Sequence, residues 1–164
     1  MNAQLILENG TRFSGKIFGA VKNIVGEVVF TTGMTGYQET LTDPSFAGQI
    51  VTMTFPLIGN YGINLEDMEA DKVNLKAFIV REKCDYPSNF RNEMTLDDFL
   101  KQQDVVGLEG IDTRALTRIL RNSGVMRGVI AVGEISDAEA DKLINELDNS
   151  NVIMDTTTPE PYIL

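Results

Sequence analysis

Residues 26–64 read GEVVFTTGMTGYQETLTDPSFAGQIVTMTFPLIGNYGIN: two β-rich apolar runs separated by a small-residue turn and a polar segment. Gly26 to Thr32 (GEVVFTT) and Gln49 to Phe55 (QIVTMTF) are dominated by β-branched and aromatic residues, which predicts a strand in each place. Between them, Thr35 to Thr42 is short and polar and runs into Asp43-Pro44. A helix of one or two turns is expected there, ending before the proline, because the residue preceding a proline is pushed away from helical geometry. After Pro56, LIGNYGIN has turn residues at every second or third position and predicts a loop of defined backbone shape. A plain core does not need this density of Thr, Gly, Asn and Pro, so the segment is expected to set backbone and hydroxyl groups against a partner or substrate.

Outward from this segment the pattern is mixed β and α. Ala3 to Leu7 and Arg12 to Phe18 alternate in polarity around Asn9-Gly10, a pair suited to the left-handed conformations of a tight hairpin turn. Leu75 to Val80 (LKAFIV) and Val105 to Leu108 predict two further strands, and Val125 to Val132 a last one. Thr95 opens a helix with Asp98 three residues on and Leu96, Phe99 and Leu100 as its apolar face. Asp112 caps the helix DTRALTRILRNS, which stops at Gly124 with Leu116, Ile119 and Leu120 on one side and Arg114, Arg118 and Arg121 on another. Ser136 and Glu139 form a capping box for a final helix running to about Leu147. The expected organisation is one domain over residues 1–148, with 149–164, rich in Thr and Pro, as an exit linker.

Composition removes several chemistries. With no histidine and one cysteine, Cys84, neither a Cys-His pair nor a Ser-His-Asp triad can be assembled within the chain, and a zinc site of the usual Cys/His kind cannot form. Fourteen basic against 24 acidic residues give a net charge of −10, which disfavours nucleic acid and anionic membrane as partners. No apolar run approaches the roughly 20 residues of a membrane span, no signal peptide opens the chain, and a single cysteine fits a reducing cytoplasm. A chain of 164 residues is long enough to bury a real core.

Three runs, MTGYQETLTDPS, GQIVTMTFPLIGNYG and GIDTRALTRILR, resemble the amino-terminal domain of the small subunit of glutamine-hydrolysing carbamoyl phosphate synthetase. The resemblance implies an α/β fold of layered β/β/α, "swivelling" type. It also implies a glutaminase domain of the same subunit, carrying a Cys-His-Glu site, which has no counterpart in these residues. The whole enzyme would be a carbon-nitrogen ligase. It would take ammonia from glutamine through an internal passage to the large synthetase subunit, where ATP and Mg are expected, with the product serving arginine and pyrimidine synthesis. This chain would hold no cofactor, no metal and no catalytic residue, and would be inactive alone. It would supply docking surface, part of the ammonia route and a glutamine contact.

The candidate residues each have a plain reading as well. Ser45, after Asp43-Pro44, reads from sequence as a turn-stabilising hydroxyl; the resemblance makes it the substrate-binding residue that reaches glutamine in the neighbouring domain by a hydrogen bond. Gly33 and Met34 read as strand-to-helix turn chemistry, and the resemblance sets them along the ammonia passage, with Gly33 standing where some relatives carry a small hydroxyl residue. The arginine row at Arg114, Arg118 and Arg121 reads as a solvated helix face or as a group that binds phosphate or the acidic groups of a partner. Lys83 beside Cys84 would favour the thiolate, without an accompanying base. Glu27 and Glu39 have no spacing that converges them on one site. Two other classes remain from the sequence: a stand-alone scaffold or regulatory module, and a carboxylate-metal enzyme.

Overall fold

The computed structural model describes residues 1–32, 40–41, 43–54, 63–64, 75–82 and 93–146. Its strands are β1 (Asn2–Leu7), β2 (Arg12–Gly19), β3 (Ile24–Thr31), β4 (Gln49–Met53), β5 (Ile63–Asn64), β6 (Ala77–Ile79), β7 (Glu93–Met94), β8 (Val106–Glu109) and β9 (Met126–Val132). Helices α1 (Leu96–Gln102) and α2 (Thr113–Ser123) flank β8, a third helix α3 covers 137–146, and Pro44–Phe46 forms a single 3-10 turn. The mixed α/β expectation holds, with a sheet-dominated core. Of the polar segment expected to be helical, residues 40–41 are helical, and 35–39 and 42 lie outside the described residues. The expected linker over 149–164 lies outside them as well.

Among the described residues, seven strands close into a barrel in the order β1-β2-β8-β6-β4-β3-β9, and β5 pairs with β7 in a separate ribbon. The closure joins two kinds of pairing. The β3-β4, β4-β6 and β6-β8 pairs are parallel, while β8-β2, β2-β1, β1-β9 and β9-β3 are antiparallel. Parallel neighbours require a crossover between them, which is why helix or loop connections lead into β4, β6 and β8, whereas β1 and β2 need only a hairpin.

Side chains alternate with period two along these strands, and each half of the alternation has its own core. Leu5 and Leu7 of β1, Ile50 of β4, Ile79 of β6, Leu108 of β8 and Ile130 of β9 face inward as one buried cluster, joined by Leu116 and Leu120 from the inner face of α2. The intervening residues face out and are covered by helices. Val51, Met53 and Phe78 pack against Leu96, Phe99 and Leu100 of α1, and Ile6 and Val129 pack against Ala140 and Ile144 of α3. Each fully buried Leu, Ile or Phe contributes about 1.5–3 kcal/mol of transfer free energy, so an outer layer of this size holds the helices without any ligand.

The helix starts follow the capping signals. Thr95 accepts a hydrogen bond from the Asp98 amide at 3.1 Å, Asp112 from the Ala115 amide at 3.0 Å, and Ser136 from the Glu139 amide at 3.1 Å. Each satisfies an amide that the first helical turn leaves without a partner. The β1–β2 hairpin differs from the expected turn in one respect. Asn9 does not adopt a left-handed conformation; Gly10 does, at φ 91°, and Asn9 Oδ1 accepts the Thr11 amide at 3.0 Å. The connection is a three-residue loop closed by Leu7 and Thr11, in which one glycine carries the whole left-handed requirement.

At that hairpin Glu8 reaches across to β9. Its carboxylate accepts the Arg127 amide at 2.7 Å and the Arg127 guanidinium at 3.0 Å. Partial burial raises the Glu8 pKa, but the side-chain and backbone hydrogen bonds from Arg127 and its charge outweigh this and hold it below the ordinary 4.5. A carboxylate whose pKa is depressed on folding stabilises the native state above its unfolded pKa, and that stabilisation fades as pH falls through the folded value. Glu8→Gln should therefore cost about 0.5–1 kcal/mol at pH 7, a figure that allows for solvent screening of this partly exposed pair. The cost should shrink progressively below the ordinary 4.5. Urea unfolding of both proteins between pH 3 and pH 7 checks this; a cost that stays constant with pH would contradict it.

Candidate functional site

The segment Asp43-Pro44-Ser45 is a small, self-supporting turn. The Asp43 amide donates to Thr40 O at 3.3 Å, the Phe46 amide to Asp43 O at 3.1 Å, and the Ser45 amide to Asp43 Oδ1 at 2.9 Å. Proline presets the backbone dihedral at the start of the 3-10 turn, and the aspartate side chain closes it in the manner of an N-cap. Both flanks are anchored: Leu41 is fully buried and Phe46 half-buried in the cluster beneath α1. Ser45 itself is exposed. The Ser45 amide first, and then its hydroxyl, hold the Asp43 carboxyl below its ordinary 3.8. A carboxylate stabilised in this way is a weak base and does not activate the hydroxyl as a nucleophile.

Ser45 precedes β4, at the end of that strand where Gln49 pairs with Glu27. The chain leaves β3 at the other end, where Thr31 pairs with Met53. The end at which the chain enters β4 from Ser45 and the end at which it leaves β3 toward Gly33 are therefore opposite ends of the β3–β4 pair, about 13 Å apart at about 3.3 Å per residue. Gly33 and Met34, the residues expected along the passage, lie outside the described residues, as do Glu39, Lys83 and Cys84. Glu27 is exposed on β3. Among the described residues no three Cys, Asp or Glu side chains come together to hold a metal ion, and no helix is long and apolar enough to cross a membrane.

The opposite end of the parallel strands carries a second feature. Thr32 follows β3, Thr54 follows β4 and Arg81 lies two residues beyond β6, so the carboxyl ends of three adjacent parallel strands deliver them to one place. α2, which follows the fourth parallel strand, contributes Thr113, Arg114, Thr117, Arg118 and Arg121 from one continuous face. Together these residues line an open cleft of about 490 Å³. The helix sits this way because Leu116 and Leu120 on its other face are buried in the barrel core. Thr54 Oγ1 donates to Thr31 O at 3.1 Å, and the Arg121 guanidinium lies 5.7 Å from the centre of the Phe30 ring.

Sequence spacing already sets the three α2 arginines on one side of their helix. It does not reveal that Arg81, 33 residues before Arg114, joins them, or that four threonines face the same space. The available signal was that Thr113 and Thr117 fall one turn apart beside the arginine row. Their near-complete burial, with 3% and 7% exposure, separates them from a merely solvated face.

The family model of the carbamoyl-phosphate synthase small chain, CPSase domain, matches residues 5–130. The carbamoyl phosphate synthase small chain of Clostridium perfringens is 57% identical over 162 residues, which is 99% of this chain and 46% of that protein. That of Bacillus caldolyticus is 56% identical over 140 residues, 85% of this chain and 38% of its own length. The small chain of Archaeoglobus fulgidus is 53% identical over 146 residues, 89% of this chain and 40% of its own. The chain spans less than half the length of these relatives.

Proposed function

The chain belongs to the carbamoyl phosphate synthase small-chain family, and from that membership we propose that it works as the amino-terminal domain of a glutamine-dependent carbamoyl phosphate synthase. In this reading it gives docking surface for a large subunit and for a glutaminase domain of its own subunit, and it forms part of an ammonia route. The complete enzyme is a carbon-nitrogen ligase of the cytoplasm, with ATP and Mg handled by the large subunit and carbamoyl phosphate going to arginine and pyrimidine synthesis. The observation that carries the reading is the family match, which reaches from β1 into β9 and so takes in every strand of the barrel. The β/β/α layering proposed for the fold is supported by the division of the closed sheet. A parallel half, β3-β4-β6-β8, adjoins an antiparallel half around β1, and α3 packs outside β1 and β9.

Ser45 is the residue proposed to contact glutamine. Its exposed position on a turn pinned by Leu41 and Phe46 suits a hydroxyl offered to a group outside this domain. Gly33 and Met34 are proposed along the passage, where keeping ammonia out of bulk water would preserve its unprotonated, nucleophilic form. Met34 would supply an adaptable apolar wall.

Sedimentation velocity of this chain mixed with the large synthetase subunit tests the docking role. A stable complex supports it, and independent sedimentation at micromolar concentrations counts against a sufficient docking surface in this domain. In the full-length small subunit, Ser45→Ala should raise the KM for glutamine about 2- to 10-fold with kcat nearly unchanged, the signature of one lost neutral hydrogen bond in uniform binding. An unchanged KM would remove Ser45 from the glutamine pocket. The isolated chain should release no ammonia from glutamine above the buffer background.

A further inference from the structure

We infer that the cleft between α2 and the carboxyl ends of β3, β4 and β6 is a binding site for a phosphoryl group, either inorganic phosphate or a phosphate monoester. The first support is charge. The chain carries a net −10, yet Arg81, Arg114, Arg118 and Arg121 converge on one cleft, and among the described residues none of the four forms an ion pair. Like charges gathered in this way repel one another, and an anion between them removes that cost. Of the described acidic residues nearest in sequence, Asp112 places its carboxylate on the Ala115 amide, and Glu82 lines a neighbouring cleft with Glu109 and Glu134; Arg81 borders both clefts, whereas Arg114, Arg118 and Arg121 line the arginine cleft alone.

The second support is the hydroxyl lining. Thr113 and Thr117 are both more than nine-tenths buried, and Thr117 Oγ1 has no hydrogen-bond partner. A buried hydroxyl left without a partner costs free energy that an added acceptor would recover. Four guanidinium groups and several hydroxyls also offer more donors than a single carboxylate has lone pairs to accept, whereas a phosphoryl group presents three strong acceptor oxygens suited to bidentate arginine contacts.

The third support is position. In sheets with parallel strands, ligands bind beyond the carboxyl ends of the strands, where loops of adjacent strands meet. Thr32, Thr54 and Arg81 occupy that location on three neighbouring strands, and α2 faces them with its arginine row. At about 490 Å³ the cleft exceeds the needs of bare phosphate and leaves space for an organic body.

Isothermal titration of this chain with inorganic phosphate, and separately with phenyl phosphate, at constant ionic strength tests the site. Saturable binding is expected, weakened about 10-fold or more by Arg118→Ala and by Arg114→Ala, as the loss of a charged hydrogen bond implies. Both arginines are exposed, so neither change should disturb the fold, and a Lys22→Ala control should bind as the parent does. Phenyl phosphate binding more tightly than inorganic phosphate would identify an organic phosphate as the ligand; equal affinities would identify free phosphate. Absence of saturable binding by either would overturn the inference. So would arginine variants that bind like the parent, or a glutamate-rich peptide that binds where phosphate does not.

Discussion

Replacing Phe78 with alanine should destabilise the protein by about 3–5 kcal/mol, the range measured for truncating a large aromatic side chain in a close-packed core. Phe78 is fully buried at the centre of β6, on the outward face covered by α1, together with Phe99, Leu96 and Leu100. Its strand neighbours are Val51 on β4 and Gly107 on β8, and the ring of Phe18 lies over Gly107, so the space left by the missing ring is bounded by residues already in contact with others. α1 has little freedom to sink into the gap, because Asp97 Oδ1 accepts the Gly19 amide at 2.7 Å and the Val105 amide donates to Leu100 O at 2.9 Å. A site that cannot collapse retains its cavity, which moves the cost toward the upper end of the range. For a domain whose total stability is on the order of 5–15 kcal/mol, this is enough to leave a substantial unfolded fraction. Phe78→Leu, which conserves most of the volume, should cost less than about 1.5 kcal/mol. Urea unfolding followed by far-UV circular dichroism distinguishes the two, and an alanine variant within 1 kcal/mol of the parent would mean that α1 does not close over β6. The same cluster holds Leu41 and Phe46 on either side of the Ser45 turn, so partial loosening should be reported there first by increased amide exchange.

The legibility of this structure in its sequence divides along the distance between interacting residues. Capping at Thr95, Asp112 and Ser136 is decided within four residues, and each predicted cap is present. The seven barrel strands follow the period-two alternation of apolar side chains and agree with the expected positions to within one or two residues; the two-residue strands β5, inside the segment expected to be a loop, and β7 are too short to show any alternation and are not predicted by it. Strand order was not legible. Whether QIVTM pairs parallel with EVVFT or folds back as a hairpin depends on how residues 33–48 connect them, and both arrangements satisfy the same alternation. Barrel closure between β3 and β9 joins residues about 100 positions apart and leaves no local trace. The candidate sites divide similarly. The turn at Ser45 is written in Asp-Pro-Ser, with its hydrogen bond two residues long, whereas the arginine cleft needs Arg81 brought to α2 by the parallel order of β4, β6 and β8. Three arginines in a helical row carry no information about a fourth on another strand.

Gly19→Ala should cost about 2–5 kcal/mol, and the reason can be separated into two parts by experiment. Gly19 ends β2 with φ 68°, in the left-handed region where a side chain costs roughly 1–2 kcal/mol. A methyl group there would also stand 2.6 Å from Val105 O and 2.8 Å from Leu100 Cβ. Neither neighbour can retreat cheaply. Val105 O already accepts the Ala20 amide at 2.9 Å, and Leu100 is fully buried in the cluster under α1. Crowding of this kind adds about 1–3 kcal/mol. Gly48 supplies the control: its φ of 76° is similar, but an added methyl group meets nothing within 4 Å. Gly48→Ala should therefore show the conformational cost alone, about 1 kcal/mol, and the excess in Gly19→Ala measures how tightly the end of β2 is pressed against α1 and the start of β8. Equal costs for the two variants would mean that α1 yields to the methyl group, and that the contact between Gly19 and Asp97 is a loose surface feature. A large excess would instead make Gly19 the point that fixes α1, and with it the cluster that anchors the Ser45 turn, to the barrel.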